Sequence, residues 1–371
     1  MKENNPLISV VMASYNHGLY VKEAIYSVLN QTFQDFEIII TDDGSTDNTV
    51  AVIQNIQNKK IKFFIFEHNQ GACAAINNSI SMAKGEYIAV INSDDVWVKD
   101  KLQKQISFLL DNRKIDAVFS SALFLDENMK PFKAEEKPFF SDIFQQNNRS
   151  SGQWLKRFFF EGNCLCHPSI LIKKKCYDVL GLYDNRYRQL PDLDMWIKFC
   201  KKFQLHVLPE QLVKFRILKN NKNTSSPSLE NQIRGRTEAH LIMRSFFDEM
   251  PIAVFKEGFK DFLYNKDFVG SEEYEIEKAF LYLRMGCYNI FAIEKLYNWL
   301  KDTDIRYILI TKYNFDDKKF WEIASLNGSF NQEVSGRALL KSLFNKIVHT
   351  SKKQVLMSGI KYIKLLLINR K

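Results

Sequence analysis

Between residue 7 and about residue 120, short apolar runs alternate with stretches of helical period. Leu7–Ala13, Phe36–Thr41, Lys62–Phe66 and Tyr87–Ile91 read as strands. Between them, Val21, Ala24, Ile25 and Val28 fall on one helical face, and segments from about Thr49 to Gln57 and from Gly71 to Ala83 have the same periodicity. After the fourth run, Leu102, Ile106, Leu109 and Leu110 form another apolar stripe. Near-continuous apolar strands alternating with helices predict an α/β fold, with a mostly parallel central sheet covered by helices on both faces. In such sheets ligands bind beyond the carboxyl ends of the strands.

The pattern loosens over residues 121–165, which hold Pro131, Pro138 and several Asn and Ser and read as an insertion or long loop. Order returns with a strand at Ser169–Ile172, helices at Lys174–Leu180 and near Leu193–Phe203, and two strands near Leu205–Leu208 and Leu212–Arg216. Residues 218–231 read as a linker, and helical patterning follows Pro251, the last proline. The expected division is a catalytic-type α/β domain over 1–230 and a helical region over 231–371.

Composition narrows the classes. A chain of 371 residues with 46% hydrophobic content can bury a sizeable core. The six cysteines form no C-x-x-C pair and read as reduced thiols of a cytosolic protein. No secretory leader and no membrane-spanning apolar run is visible. The net charge of +9 resides in the tail: residues 336–371 hold nine Lys/Arg and no Asp/Glu, while the rest of the chain balances to zero. That excludes a wholly nucleic-acid-binding protein and points to one basic contact surface.

The candidate chemistry lies at the strand ends. The first strand runs into Ser14-Tyr15-Asn16-His17, the second into Asp42-Asp43-Gly44-Ser45, and the fourth into Asn92-Ser93-Asp94-Asp95. Two carboxylates about 4 Å apart repel by roughly 4 kcal/mol at an effective dielectric near 20, so one is protonated or a cation stands nearby. Mg²⁺ or Mn²⁺ suits such oxygen donors and commonly completes its shell with substrate phosphates. Neither a G-x-x-x-x-G-K-[ST] loop nor a G-x-G-x-x-G fingerprint occurs at these ends, which disfavours P-loop kinases and dinucleotide dehydrogenases.

The runs "ISVVMASYNHGLYVKEAIYSVLNQTFQDFEIIITDDGSTDNT" and "NQGACAAINNSISMAKGEYIAVINSDDVWVKDKL" together resemble the family 2 glycosyltransferases over roughly residues 6–225. The resemblance implies a GT-A fold and inverting transfer of a sugar from a nucleoside diphosphate donor, usually with Mg²⁺ or Mn²⁺. It implies that Tyr15 stacks on the base, a uracil by the same likeness, and that Asp43 accepts a hydrogen bond from it. The backbone near Ala13 would contact the nucleotide, Asp94 the ribose or metal, and Asp95 would be the principal metal ligand. Asn92 stands where the family usually has a first aspartate.

For the acceptor side, the resemblance points to "RQLPDLDMWIKFC". Asp192 matches the family's general base, with Pro191 in place of the acid that usually precedes it. Asp192 is also readable as a helix N-cap, Asp194 as a first-turn acid favoured by the helix dipole, and Trp196 as an acceptor or phosphate contact or else as core. Arg216 matches a family arginine and is a candidate acceptor or phosphate contact, whereas Leu218 replaces a histidine, leaving Lys219 or Lys222 as alternative cations for the diphosphate. His167 reads as an acceptor contact or a structural hydrogen-bonder, and His17 as a loop residue.

In the tail, Leu356, Ile360, Ile363 and Leu367 share an apolar arc, with Lys353, Lys361, Lys364 and Lys371 beside it. This is a basic amphipathic helix able to lie on an anionic membrane, or else a last helix packed on the body. The expected enzyme is an inverting glycosyltransferase using a nucleotide-sugar donor and a glycan or lipid-linked acceptor for bacterial surface polysaccharide, lipopolysaccharide or glycoconjugate. It would be cytoplasmic or peripheral on the inner face of the membrane. The rivals are a sugar-nucleotide nucleotidyltransferase and a non-catalytic membrane-associated binding module.

Overall fold

The computed structural model describes residues 5–325 apart from 134, 136, 137, 139, 141, 220–222 and 224–227. The basic tail at 336–371 and Lys222 therefore lie outside the described residues. By its internal contacts the chain forms two compact units, Met1–Lys278 and Ala279–Lys371.

In the first unit, β1 (Ile8–Ser14), β2 (Phe36–Asp42), β3 (Ile61–Ile65) and β4 (Tyr87–Val90) form a parallel block with α1 (Val21–Leu29), α2 (Thr49–Gln54) and α3 (Ala72–Ser81) as crossovers. Beyond β4 come β5 (Val96–Trp97), α4 (Lys101–Asp111), β6 (Ala117–Leu125), α5 (Ser151–Glu161), β7 (Leu171–Lys173), α6 (Lys175–Leu180), α7 (Pro191–Lys202) and β8 (Leu205–Arg216). The eight-stranded sheet has the order β3-β2-β1-β4-β7-β6-β8-β5. The short β7 runs antiparallel to both β4 and β6, and β5 antiparallel to β8. The carboxyl ends of β1, β2, β4, β6 and β8 therefore share one edge, as the apolar pattern predicted. Every residue of β2 and β4 is buried, which accounts for their lack of polar alternation.

Three features depart from the sequence reading. The two short strands expected at 205–208 and 212–216 are one strand, β8, whose pairing with β6 shifts register around Ser120–Ala122. Pro209 interrupts the hydrophobic pattern there, and an irregularity absorbs it. The irregular stretch after residue 121 contains the end of β6 and all of α5. That helix opens with a capping box, the Ser150 side chain and Gln153 each serving the other's backbone N–H. The first unit also continues past residue 230, through α8 (Leu229–Arg244), α9 (Ile252–Phe259) and into α10 (Ser271–Leu283), as far as Lys278.

A second aromatic core explains that extension. Phe159 of α5 meets Phe246, Phe247 and Phe259 at ring separations of 5.1, 5.0 and 5.6 Å, all four of them buried. Burying each such ring is worth about 1.5–3 kcal/mol, so α5, α9 and the turn after α8 do not separate at low cost. Two glycines let α5 and α9 touch: a Cβ on Gly258 would stand 2.2 Å from the Gly152 carbonyl oxygen.

The second unit, as far as it is described, comprises the end of α10 with α11 (Asn289–Trp299), α12 (Thr303–Tyr313) and α13 (Asp317–Ser325). Leu296 and Leu309 are buried within it, and Arg306 forms a two-pronged ion pair with Asp317. No helix among the described residues is long and apolar enough to cross a membrane.

Candidate active site

Ser14 and Asp42 are register partners at the ends of β1 and β2, and the Ser14 hydroxyl donates to the Asp42 carboxylate at 2.7 Å. Asp42 also receives the backbone N–H and the hydroxyl of Ser45, each at 2.7 Å, so it is a turn former. Asn16 adopts a left-handed φ of 52°, which Asn tolerates better than most residues. Its side-chain oxygen accepts from the backbone N–H groups of Thr46 and Asp47 and locks the first loop onto the second. Tyr15 is left on the lip with its ring 42% exposed, available for stacking, and Ala13 is half-buried behind it.

Asp43 is buried and faces the amino end of α3. Its carboxylate accepts from the backbone N–H groups of Gln70 at 2.7 Å and Gly71 at 3.0 Å. Burial pushes its carboxyl above the ordinary range, against the pull of those two donors. Each oxygen keeps a further lone pair for a ligand N–H.

At the end of β4, Asp94 and Asp95 are 7% and 1% exposed. Burial raises both carboxyls, and the Asp94 charge drives Asp95 well above the usual range. Asp95 accepts from the backbone N–H of Arg216 at 2.9 Å and from the Asn92 amide at 3.0 Å. Asn92, where a third carboxylate would compound the repulsion, is therefore a donor to Asp95. Two buried, mutually destabilised carboxylates with hard oxygen donors fit a divalent cation of the Mg²⁺ or Mn²⁺ class. Among the described residues no three His, Cys, Asp or Glu side chains form a closed metal cage, so such an ion would need donors from substrate phosphates.

Arg216 serves this loop from behind. Its guanidinium, 3% exposed, donates to the Asp94 carbonyl at 2.7 Å, the Glu127 carbonyl at 2.5 Å and the Glu23 carboxylate at 2.5 Å. This network braces the Asp94-Asp95 turn, and the expected contact of Arg216 with acceptor or phosphate gives way to that structural engagement. Lys219 is drawn to Glu127 at 3.2 Å. His17, read from sequence as a loop residue, hydrogen-bonds the Ser93 hydroxyl at 2.7 Å and so joins the first loop to the third.

Asp192 lies in the first turn of α7, one residue after Pro191. Its carboxylate accepts from the Asn163 amide at 2.6 Å and from the backbone N–H of Leu193 at 2.8 Å. Burial pushes it up to about 6, with the Glu238 charge adding to the effect. The N-cap position belongs to Leu190, so Asp192 is not the N-cap residue. Asp194, buried, pairs with Lys198 at 2.6 Å and lines a separate cavity of about 370 Å³ walled by α6, α7 and the turn after α8. That cavity is lined by none of Asp43, Asp94, Asp95 and Asp192.

Trp196 is fully buried, edge-on to Phe119 at 4.9 Å, and is core. His167 sits in the 3-10 turn His167–Ser169 before β7 and not in a strand. It bonds the Tyr183 hydroxyl at 2.9 Å, and burial holds its imidazole down to about 4, so it is neutral near pH 7. Trp196 belongs to α7, and His167 packs on its ring at 5.9 Å.

The segment between Tyr183 and Leu190 ties the two sides together. The Asn77 side chain of α3 donates to the Tyr183 carbonyl at 2.7 Å and accepts its N–H at 3.0 Å. Cys73, also on α3, contacts the Tyr187 carbonyl at 3.4 Å. Its thiol is pushed up to about 12, first by burial and then by the Asp192 charge. Asp43 in turn feels the Arg188 charge. The amino end of α3 is thus bonded to Asp43 and lies within electrostatic range of Asp192.

Sequence reasoning did not find Asn163 or Glu238. Asn163 follows Gly162, the C-cap of α5, a helix hidden in a stretch read as loop. Glu238 sits on α8, beyond the expected domain boundary.

Residues 9–173 match the model of glycosyl transferase family 2. An uncharacterized glycosyltransferase of Methanocaldococcus jannaschii is 35% identical over 222 residues, spanning 58% of this chain and 72% of its own length. TuaG of Bacillus subtilis, a glycosyltransferase named for teichuronic acid biosynthesis, is 30% identical over 219 residues, 58% of this chain and 81% of its own. Among solved structures, S. aureus TarS 1–349 in complex with UDP-GlcNAc superposes with a TM-score of 0.54 over 88% of this chain and 91% of that one, at 18% identity, which supports the GT-A fold. With carboxylates at the ends of β2 and β4, a titratable aspartate opening α7 and a relative of 35% identity matched over 72% of its own length, the chain belongs to glycosyltransferase family 2.

Proposed function

We propose that this enzyme transfers a sugar, with inversion, from a UDP-sugar to a hydroxyl of a glycan or lipid-linked acceptor in surface polysaccharide or glycoconjugate synthesis. The uracil would stack on Tyr15 and give its N–H to Asp43, with the backbone near Ala13 and the Asp94 carboxylate completing the nucleoside contacts. Asp95, with Asp94, would hold a Mg²⁺ or Mn²⁺ ion. When bound, that ion supplies charge neutralisation for the diphosphate.

Asp192 is the base. The acceptor hydroxyl yields its proton to this carboxylate while its oxygen bonds to the anomeric carbon. The bond from that carbon to the diphosphate oxygen breaks, and the electron pair leaves with the diphosphate. A carboxyl near 6 is ionised at neutral pH yet basic enough to share the proton in the transition state. The observation that carries the reading is this raised carboxylate at the opening of α7, joined by the 183–190 segment to the helix that holds Asp43.

The printed name of TuaG supports a polysaccharide acceptor, and UDP-GlcNAc in TarS supports a UDP donor. The nine basic residues of 336–371 would bring the enzyme to an anionic membrane surface where such acceptors are built. The test is a panel of UDP- and GDP-sugars with and without Mn²⁺, scored for nucleotide release. Turnover of a UDP-sugar that stops in Asp192→Asn, with UDP binding kept, is the expected result. Full transfer by that variant would refute the base assignment, and pyrophosphate release from a nucleoside triphosphate and a sugar phosphate would refute the reaction class.

A further inference from the structure

We propose that Glu238, on α8, is the positioning residue for Asp192: by gathering the backbone N–H groups that lead into α7, it fixes where the base stands. The inference rests on the assignment of Asp192 as base. The Glu238 carboxylate accepts from Arg188 N–H at 2.9 Å, Gln189 N–H at 2.8 Å and Leu190 N–H at 2.9 Å. It is 4% exposed. Three donors on one buried carboxylate, 48 to 50 residues distant in sequence, form a built clamp.

The reason the clamp is needed is local. A helix opens with unsatisfied N–H groups and a partial positive charge, which a Ser, Thr, Asn or Asp at the N-cap normally meets. Here the N-cap is Leu190, with no side-chain acceptor, and Pro191 follows with no N–H at all. Asp192 serves only the Leu193 N–H beyond. Glu238 supplies the missing negative charge at the preceding turn. Gln189 adds a side-chain bond to Asn231 of the same helix at 3.2 Å, so α8 grips this turn twice.

The carboxylate acts on Asp192 through charge as well as through position. The groups facing Asp192 are the Asn163 amide after α5, the Cys73 thiol of α3, the Tyr183 hydroxyl, and Glu238 itself. Of these, Glu238 is the carboxylate, and its charge disfavours the Asp192 anion.

The experiment compares wild type, Glu238→Gln, Glu238→Asp and Asp192→Asn, using the UDP-sugar that turns over in the donor panel and UDP itself as the affinity probe. Glu238→Gln keeps the shape but removes the charge and one acceptor oxygen. A displacement of the base by about 1 Å costs on the order of 10²-fold, so kcat is expected to fall by about that factor. UDP affinity should stay within about twofold and the acid limb of the kcat profile should move to lower pH. Glu238→Asp retains the charge but withdraws it by one methylene, and is expected to lower kcat with the acid limb unmoved.

A folded Glu238→Gln protein with wild-type kcat and an unmoved acid limb overturns the proposal, as does unchanged kcat in Glu238→Asp. If Asp192→Asn is inactive while the Glu238 variants are normal, positioning alone has failed. If Asp192→Asn transfers at full rate, the base assignment itself has failed.

Discussion

The raised carboxyl of Asp192 makes a prediction about stability as well as rate. In the unfolded chain an aspartate ionises near 3.9, whereas in the folded protein Asp192 does so at about 6. Above pH 6 both states carry the anion, and the folded state bears the full cost of holding it in place. As pH falls from about 6 to about 4 the folded state takes up the proton first, so the cost disappears over that window. The shift is close to two units, and at 1.36 kcal/mol per unit it converts to about 3 kcal/mol as an upper bound. Asp192→Asn removes the charge but not the volume. One of the two acceptor oxygens is lost, so the bond from Asn163 or from the Leu193 N–H is weakened, at about 1 kcal/mol. The variant should therefore be more stable than wild type by about 1–2 kcal/mol at pH 8, and lose that advantage by pH 4. Urea unfolding of both proteins across pH 4–8 measures the difference, because the carboxylates remote from Asp192 contribute equally in the pair and cancel. A variant less stable than wild type at pH 8, with a gap that does not change toward pH 4, would show that Asp192 is not held at a cost. Transfer should be lost at every pH in the same variant, setting stability against activity at one atom.

Other outcomes follow from the same geometry. Gly258→Ala sets a methyl 2.2 Å from the Gly152 carbonyl oxygen and should destabilise the first unit by about 1–3 kcal/mol, read as a lower urea midpoint. Gly44→Ala must hold φ at 73° and places its methyl 2.8 Å from the His68 carbonyl carbon, so the loop bearing Asp43 moves and UDP affinity falls in calorimetry while the far-UV spectrum is kept. Asp43→Asn leaves the Gln70 and Gly71 N–H groups to share one oxygen and should weaken UDP binding by about 1.5–3 kcal/mol. Chelation with EDTA should abolish transfer and Mn²⁺ restore it, whereas Asp95→Asn should remove the Mn²⁺ dependence of UDP affinity. The acid limb of kcat should fall near pH 6 with no step from His167, whose imidazole is already neutral above about 4.

The sheet-edge half of the candidate site was legible because its constraints are local. Fully buried parallel strands leave near-continuous apolar runs, and each ends where polar groups begin, so Asp43, Asp94 and Asp95 could be placed at one edge from periodicity alone. The half around α7 was not, because its constraints are long-range. Trp196 and Arg216 have the residue types of ligand contacts, but whether they face substrate or brace a turn depends on Phe119, Glu23 and Glu127, which lie far off in sequence. The capping box at Ser150 and Gln153 was a signal for α5 that the surrounding Asn and Ser obscured. No pattern within α8 marks Glu238 as the partner of residues 188–190, since the periodicity of a helix says which face is inward and not what it meets.

The aromatic core shared by α5, α9 and the turn after α8 bears on how this chain can be shortened. A protein ending at residue 230 would retain all eight strands and every carboxylate at the donor edge, while stripping Phe159 of the rings that cover it and freeing the backbone ahead of α7. Such a fragment would keep the sheet but lose the bonds that hold residues 188–190, and the smallest piece worth preparing extends at least to Lys278.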